Sequence, residues 1–185
     1  MPKKNFKINL SNNGIKEAIK KLETLKENIN KADEEIVKQL SELGLREIQD
    51  NYSRTPYKDG NEDVGFFTVG STKKKKIGVS GSQVLYNEFG TGTKGERSPH
   101  PEKNNYGLNA YNSGKTIRRN MKQGSNATQN GIPEGELYWT YMENGEKHYT
   151  QGIPAGKQVY NAVNTLKKEK QTIIKKVVGD ALSKL

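Results

Sequence analysis

A single amphipathic period running from Gly14 to Tyr52 constrains this fold more than any other feature. Ile15, Ile19, Leu22, Leu25, Ile29, Ala32, Ile36, Leu40 and Leu43 recur every three or four residues, with lysine and glutamate between them. That is the spacing of one apolar helix face. Leu45 and Ile48 carry the stripe past Gly44, where the helix is expected to weaken or bend. Ser11 and the two asparagines after it suit the N-cap. At 1.5 Å rise, roughly 35 residues extend about 50 Å, more than the diameter of a small globule. Part of this helix is therefore expected to pack on a neighbour. Composition points the same way, because only 31% of the 185 residues are hydrophobic. A core that thin is expected to be completed by partner subunits.

The rest of the chain alternates short elements with polar connections. Residues 54–63 read as a loop punctuated by Pro56 and Gly60. The segment from Val64 to Ser71 reads as a strand, followed by a turn at Thr72 and the lysines Lys73, Lys74, Lys75 and Lys76. A second short strand is expected from Ile77 to Ser80 and a third from Val84 to Phe89. Residues 91–136 have almost no apolar period and are rich in asparagine and glycine, so they are functional or disordered. The segment from Leu137 to Tyr149 reads as a hairpin turning at Asn144-Gly145 in a type I′ turn. After a second turn over Gln151 to Pro154, a helix is expected from Ala155 to Leu185. Its stripe is Val159, Ala162, Val163, Leu166, Ile173, Val177, Ala181 and Leu182. The expected fold is one α+β domain over residues 1–185: a small antiparallel β-sheet packed by a long N-terminal helix and a C-terminal helix. Residues 93–136 form a long polar loop insertion in it.

Several function classes recede on chemistry alone. The chain has no cysteine, which excludes disulfides and thiolate metal sites. The two histidines, His100 and His148, are not in a metal-ligand spacing. No metal or cofactor is expected. No 18-residue apolar run is present, and the N-terminal segment lacks a signal-peptide core, so a cytoplasmic origin and no membrane partner are expected. The apolar run leading into GTGTKG (residues 90–95) suggests a phosphate loop. However, Lys94 precedes Gly95 and no helix is expected to receive the turn, as both nucleotide fingerprints require. The plainer account is a strand end whose glycines release the chain, hinge-like, into the polar stretch. Glutamates are plentiful, but no pair sits in a recognisable acid–base setting, so an enzyme is not expected.

The net charge is +10, and residues 153–185 hold seven basic against two acidic residues, half of that excess. Such a balance suits an acidic partner, nucleic acid or protein, although a solvated lysine-rich surface explains it too. The basic candidates for partner contact are the four lysines 73–76, Arg97, Arg118, Arg119, Lys167 and Lys168. No known DNA- or RNA-reading motif accompanies them. Lysine at a strand turn also discourages edge pairing.

The order of elements, "LYNEFGTG" (residues 85–92) and "GIPAGKQVYNAV" (residues 152–163) together resemble the tail-completion or neck proteins of long-tailed double-stranded-DNA bacteriophages. In that family an aromatic-x-E-[FY]-G-T strand end precedes a loop, a P-F-x-x-P-A-like turn and a helix. Tyr86, Glu88, Phe89, Gly90 and Thr91 match the first motif, with Gly92 following. Ile153, Pro154 and Ala155 match the end of the second, whose leading Pro-Phe is absent. Residues 93–136 depart from the family as a longer connector, expected to reach a neighbouring subunit, the tail tube or the head connector. The resemblance implies a structural virion protein in the neck, assembled in the host cytoplasm. It implies a homo-oligomeric ring, a hexamer, that joins tail terminator and tail tube to the head connector and frames the DNA channel. Phe89 is then expected to point into the core and Glu88 to the opposite face, as a subunit-contact acid. The rival expectation is a small basic protein that binds nucleic acid without sequence preference.

Overall fold

The computed structural model describes residues 11–55, 63–102, 122–123 and 137–184. The elements in chain order are α1 (Asn12–Ser53), β1 (Gly65–Ser71), β2 (Lys74–Ser80), α2 (Val84–Phe89) and α3 (Gly92–Arg97). They continue with β3 (Lys122–Gln123), β4 (Leu137–Glu143), β5 (Glu146–Thr150) and α4 (Gln158–Ser183). The architecture is α+β, as expected, but the strands form two sheets: an antiparallel β1-β2 ribbon and a β3-β4-β5 sheet. The chain divides into two compact units.

The first unit holds α1 up to Glu47, the ribbon from Phe67 to Gly78, and α4 from Ala162 onward. Ser11 caps α1 as expected, its hydroxyl accepting from the Gly14 amide (3.2 Å). Within this unit α1 and α4 run antiparallel. The Asn28 amide donates to the Ala181 carbonyl (3.5 Å), and Leu166 lies against Gly44. Ala32, Ala162 and Val177 are buried, with Leu25, Ile36, Leu43, Leu166 and Ile173 half-buried around them. α1 runs unbroken through Gly44, as the stripe continued by Leu45 and Ile48 led us to expect. A β-carbon there would meet the Ile77 and Leu166 methyl groups, so the glycine lets the ribbon and α4 approach the helix closely. Ile15, Ile19, Leu22 and Ile29 stay exposed, at 43–56%.

The second unit holds the last turn of α1, the base of the ribbon, α2, α3, the three-stranded sheet and the start of α4. Ile48, Tyr52, Val84 and Ala155 are its buried apolar residues. The β4-β5 hairpin turns at Asn144 and Gly145, both with positive φ (50° and 82°), as a type I′ turn requires. β3, which has no counterpart in the sequence expectations, pairs Lys122 with Tyr138 and Gln123 with Leu137. The expected insertion therefore contains α3 and β3. Residues 103–121 and 124–136, with Arg118 and Arg119 among them, lie outside the described residues.

Three further expectations are corrected here. Residues 84–89 form a helix, not a third strand. Val84, Asn87 and Glu88 are buried at the i, i+3, i+4 spacing of a helix, and tertiary hydrogen bonds use carbonyls that end this short element. Gly156 N–H donates to Asn87 C=O (2.7 Å) and Lys157 N–H to Glu88 C=O (3.2 Å). A short helix, α3, also follows GTG after all. α4 starts three residues later than expected, because Lys157 adopts a left-handed φ of 59°.

Candidate functional site

The two segments that carry the family resemblance lie more than 60 residues apart in sequence and meet in the second unit. Gly90 closes α2 with φ 76°, and a β-carbon there would strike the backbone of Ile153, Pro154 and Ala155. Only glycine tolerates both that φ and that approach. Thr91 N–H donates to Ile153 C=O (2.8 Å), and its hydroxyl accepts from Ile153 N–H (3.2 Å). Gly90 and Thr91 are thus a clamped junction and not a hinge. Two amides of α3 are committed as well. Lys94 N–H donates to Gln151 C=O (3.3 Å) and Gly95 N–H to Thr91 C=O (2.9 Å). The Lys94 and Gly95 amides are therefore not open to a phosphate.

Glu88 is the centre of the junction. It is 6% exposed, not on an outward face as the sequence led us to expect. Its Oε2 accepts from Val159 N–H (2.8 Å) and its Oε1 from Tyr160 N–H (2.9 Å). These amides belong to the first turn of α4, where no intrahelical acceptor exists. A carboxylate there also meets the positive end of the helix dipole. His100, 3% exposed, completes the shell with Nε2 3.0 Å from Glu88 Oε1. Its Nδ1 accepts from Glu102 N–H (3.0 Å), so in the neutral ring Nε2 carries the proton and donates to the carboxylate. Pro99 and Pro101 flank this histidine and restrict the backbone before each ring. Its ring packs 4.4 Å from Phe89 and 5.1 Å from Tyr160, measured between centroids. Phe89, expected inward, is half-buried against that imidazole.

The chemistry of this cluster is structural. Three donors already occupy the Glu88 carboxylate, and both partners are almost sealed from water. A general base needs access to substrate, which this burial denies. Tyr52, in the last turn of α1, packs edge-on against Phe66 with its hydroxyl buried and unpartnered among the described residues. Burial, and after it the Glu88 charge, raises the phenol pKa above its ordinary value. The Gln158 Oε1 is similarly buried without a partner among the described residues. A cavity of about 360 Å³ in the same unit is lined by Asn51, Arg54, Thr55, Pro154, Gln158 and Asn161, among others. It offers no carboxylate or imidazole.

The basic candidates occupy other surroundings. Lys73 lies in the ribbon turn and Lys74, Lys75 and Lys76 in β2, all exposed, as are Lys167 and Lys168 on α4. These six belong to the first unit, whereas Arg97, exposed at the end of α3, belongs to the second with Glu88. Tyr86 is also exposed, at 38%. Sequence reasoning missed His100, Tyr52, Asn87 and Gln158. The signal available was the polar pair Asn87-Glu88 inside an apolar run, which demands buried partners. Among the described residues no cluster of three or more acidic, histidine or cysteine side chains could hold a metal, and no helix is long and apolar enough to cross a membrane. Set against family models, curated proteins and solved structures, the chain matches none.

Proposed function

We propose that the chain is a structural component of a long-tailed phage neck. In this role it forms a ring that completes the tail, joins it to the head connector and frames the DNA passage. The observation that carries this reading is the junction of the two resemblance segments. The Y-x-E-F-G-T motif and the I-P-A turn are locked to each other through Glu88, Gly90 and Thr91. The residues that the family pattern marks therefore act here as a framework for the start of α4, which is what a motif of a structural family needs. The exposed apolar stripe on α1 adds support, since a ring subunit leaves surface for its neighbours.

The test is to mix the purified chain with tails lacking their completion protein and to follow mass and electron-microscope images. A ring seated at the head-proximal end of the tail is the expected result. A protein that ignores tails at all ratios contradicts the reading.

A further inference from the structure

In the first unit the positive charge is segregated by element. Residues 12–47 of α1 hold seven basic and eight acidic side chains, so this length of α1 contributes none of the excess. The ribbon holds four lysines and no acid, and α4 holds five lysines against Glu169 and Asp180. The fold brings these two sources together. The side chains of Ile77 and Leu166 meet at Gly44, which sets their chain neighbours Lys76 and Lys167 at the same level of α1. From there the ribbon follows α1 to Glu34, whose carboxylate accepts from the Thr72 hydroxyl (3.4 Å). α4 follows it antiparallel to Ala181, beside Asn28. The stretch of α1 from Glu34 to Gly44 is about 15 Å long at 1.5 Å per residue. Lysines 73–76 on the ribbon and Lys167, Lys168, Lys170 and Lys175 on α4 are all exposed along it.

The acids of this stretch are engaged or turned elsewhere. Glu34 accepts from Thr72, and Glu35 accepts from the Gln39 side-chain amide (2.8 Å). Glu42 and Glu169 line a cavity of about 490 Å³ together with Arg46 and Glu47. Positions 42 and 46 lie about 200° around α1 from Gly44, so the cavity opens on the side away from the ribbon. On α4, Glu169 sits on the cavity side of Leu166, and Lys167 and Lys170 sit on the other side, toward the ribbon. Asp33, at the end of the stretch, is the one acid left there among the described residues, against eight lysines. Specific protein interfaces are depleted of lysine. Flexible ammonium heads suit a phosphate backbone, which carries one charge per about 1.7 Å of duplex. We infer that the ribbon and α4 lysines form one surface that binds the phosphate backbone of duplex DNA without reading its sequence. This goes beyond the neck reading, which assigns no residues to the DNA, and the free chain shows it without any tail.

Fluorescence anisotropy of a labelled duplex of about 24 bp, titrated with the full chain, tests the surface. At about 50 mM salt the wild type should bind with a Kd of roughly 10 µM or tighter. Affinity should fall with salt at a log–log slope of about −4 to −6, as expected for about five or six neutralised phosphates. Lys73→Gln, Lys74→Gln, Lys75→Gln and Lys76→Gln together should flatten that slope by at least about 2, and Lys167→Gln with Lys170→Gln by at least about 1. Lys16→Gln, Lys20→Gln, Lys21→Gln and Lys26→Gln remove the same charge as the ribbon variant from the other end of α1, and should flatten it by less than about 1. All of these lysines are exposed, so circular dichroism should show an unchanged fold. Poly-glutamate at matched charge should bind at least about tenfold more weakly than the duplex, whose condensed counterions drive the association. A wild type that binds no duplex, or a loss in the α1 variant as large as in the ribbon variant, overturns the inference. Tighter binding of poly-glutamate than of duplex overturns it in favour of an acidic protein partner. A ring that seats on tails while the chain ignores duplex sinks this inference alone, and a chain that binds duplex but ignores tails sinks the neck reading alone.

Discussion

The junction around Glu88 and the first half of α1 invert the usual rule of burial in opposite directions. At the junction a carboxylate and an imidazole are buried while nearby Leu85 and Tyr86 are exposed. On α1 four large aliphatic side chains face water. The comparison shows that polarity alone does not place a residue; the partner available to it does. Glu88 goes inside because the first turn of α4 offers two amides that nothing else satisfies. Ile19 stays outside because, among the described residues, α4 packs on a different face of α1, the one marked by Asn28 and Ala32.

Substitutions can break or sharpen this contrast, beginning with the largest effect. Glu88→Ala strips two amides and an imidazole N–H of their shared acceptor. It should cost about 3–5 kcal/mol in urea unfolding, the range for dismantling a buried charged network. Ile48→Ala, at a residue 1% exposed, should cost about 2–4 kcal/mol through lost transfer energy and a cavity. Tyr52→Phe should change stability at pH 7 by no more than about 1 kcal/mol, because its hydroxyl has no partner among the described residues to lose. The pH dependence there has a definite sign. The folded phenol has a raised pKa, so its contribution is complete below the unfolded value near 10 and is lost as pH rises above about 10. Tyr52→Phe should abolish that alkaline loss, which melting curves between pH 8 and 11 would reveal. Ile19→Ser should move the stability of the monomer by less than about 0.5 kcal/mol, as at other solvated positions. A large loss there would mean that the stripe is covered within the subunit.

What was legible in the sequence follows from how local each signal is. The 3.6-residue period of α1 and the Asn144-Gly145 turn are written in neighbouring residues, and both elements form as expected. Residues 84–89 are misleading because V-L-Y-N-E-F is apolar enough for a strand. Its helix is completed by amides from residues 156 and 157, far away in sequence. The outward Glu88 fails for the same reason: its acceptors' partners lie more than 70 residues on. Gly44 looked like a helix weakness because a glycine's role in close packing depends on what approaches it, here Ile77 and Leu166. The prolines around His100 were visible, but nothing local indicates that the ring between them is buried against a carboxylate.

The central claim is that the Glu88 side chain caps α4 and so binds the two motif segments into one framework. Amide hydrogen exchange at Val159 and Tyr160 reads that bond directly. First-turn amides of an uncapped helix exchange nearly as fast as free peptide. The account predicts that both are protected in the wild type like the interior of α4, and that Glu88→Gln speeds them at least about tenfold, the loss of one charge-assisted bond. Rapid exchange at both amides in the wild type, or protection unchanged in Glu88→Gln, would contradict it.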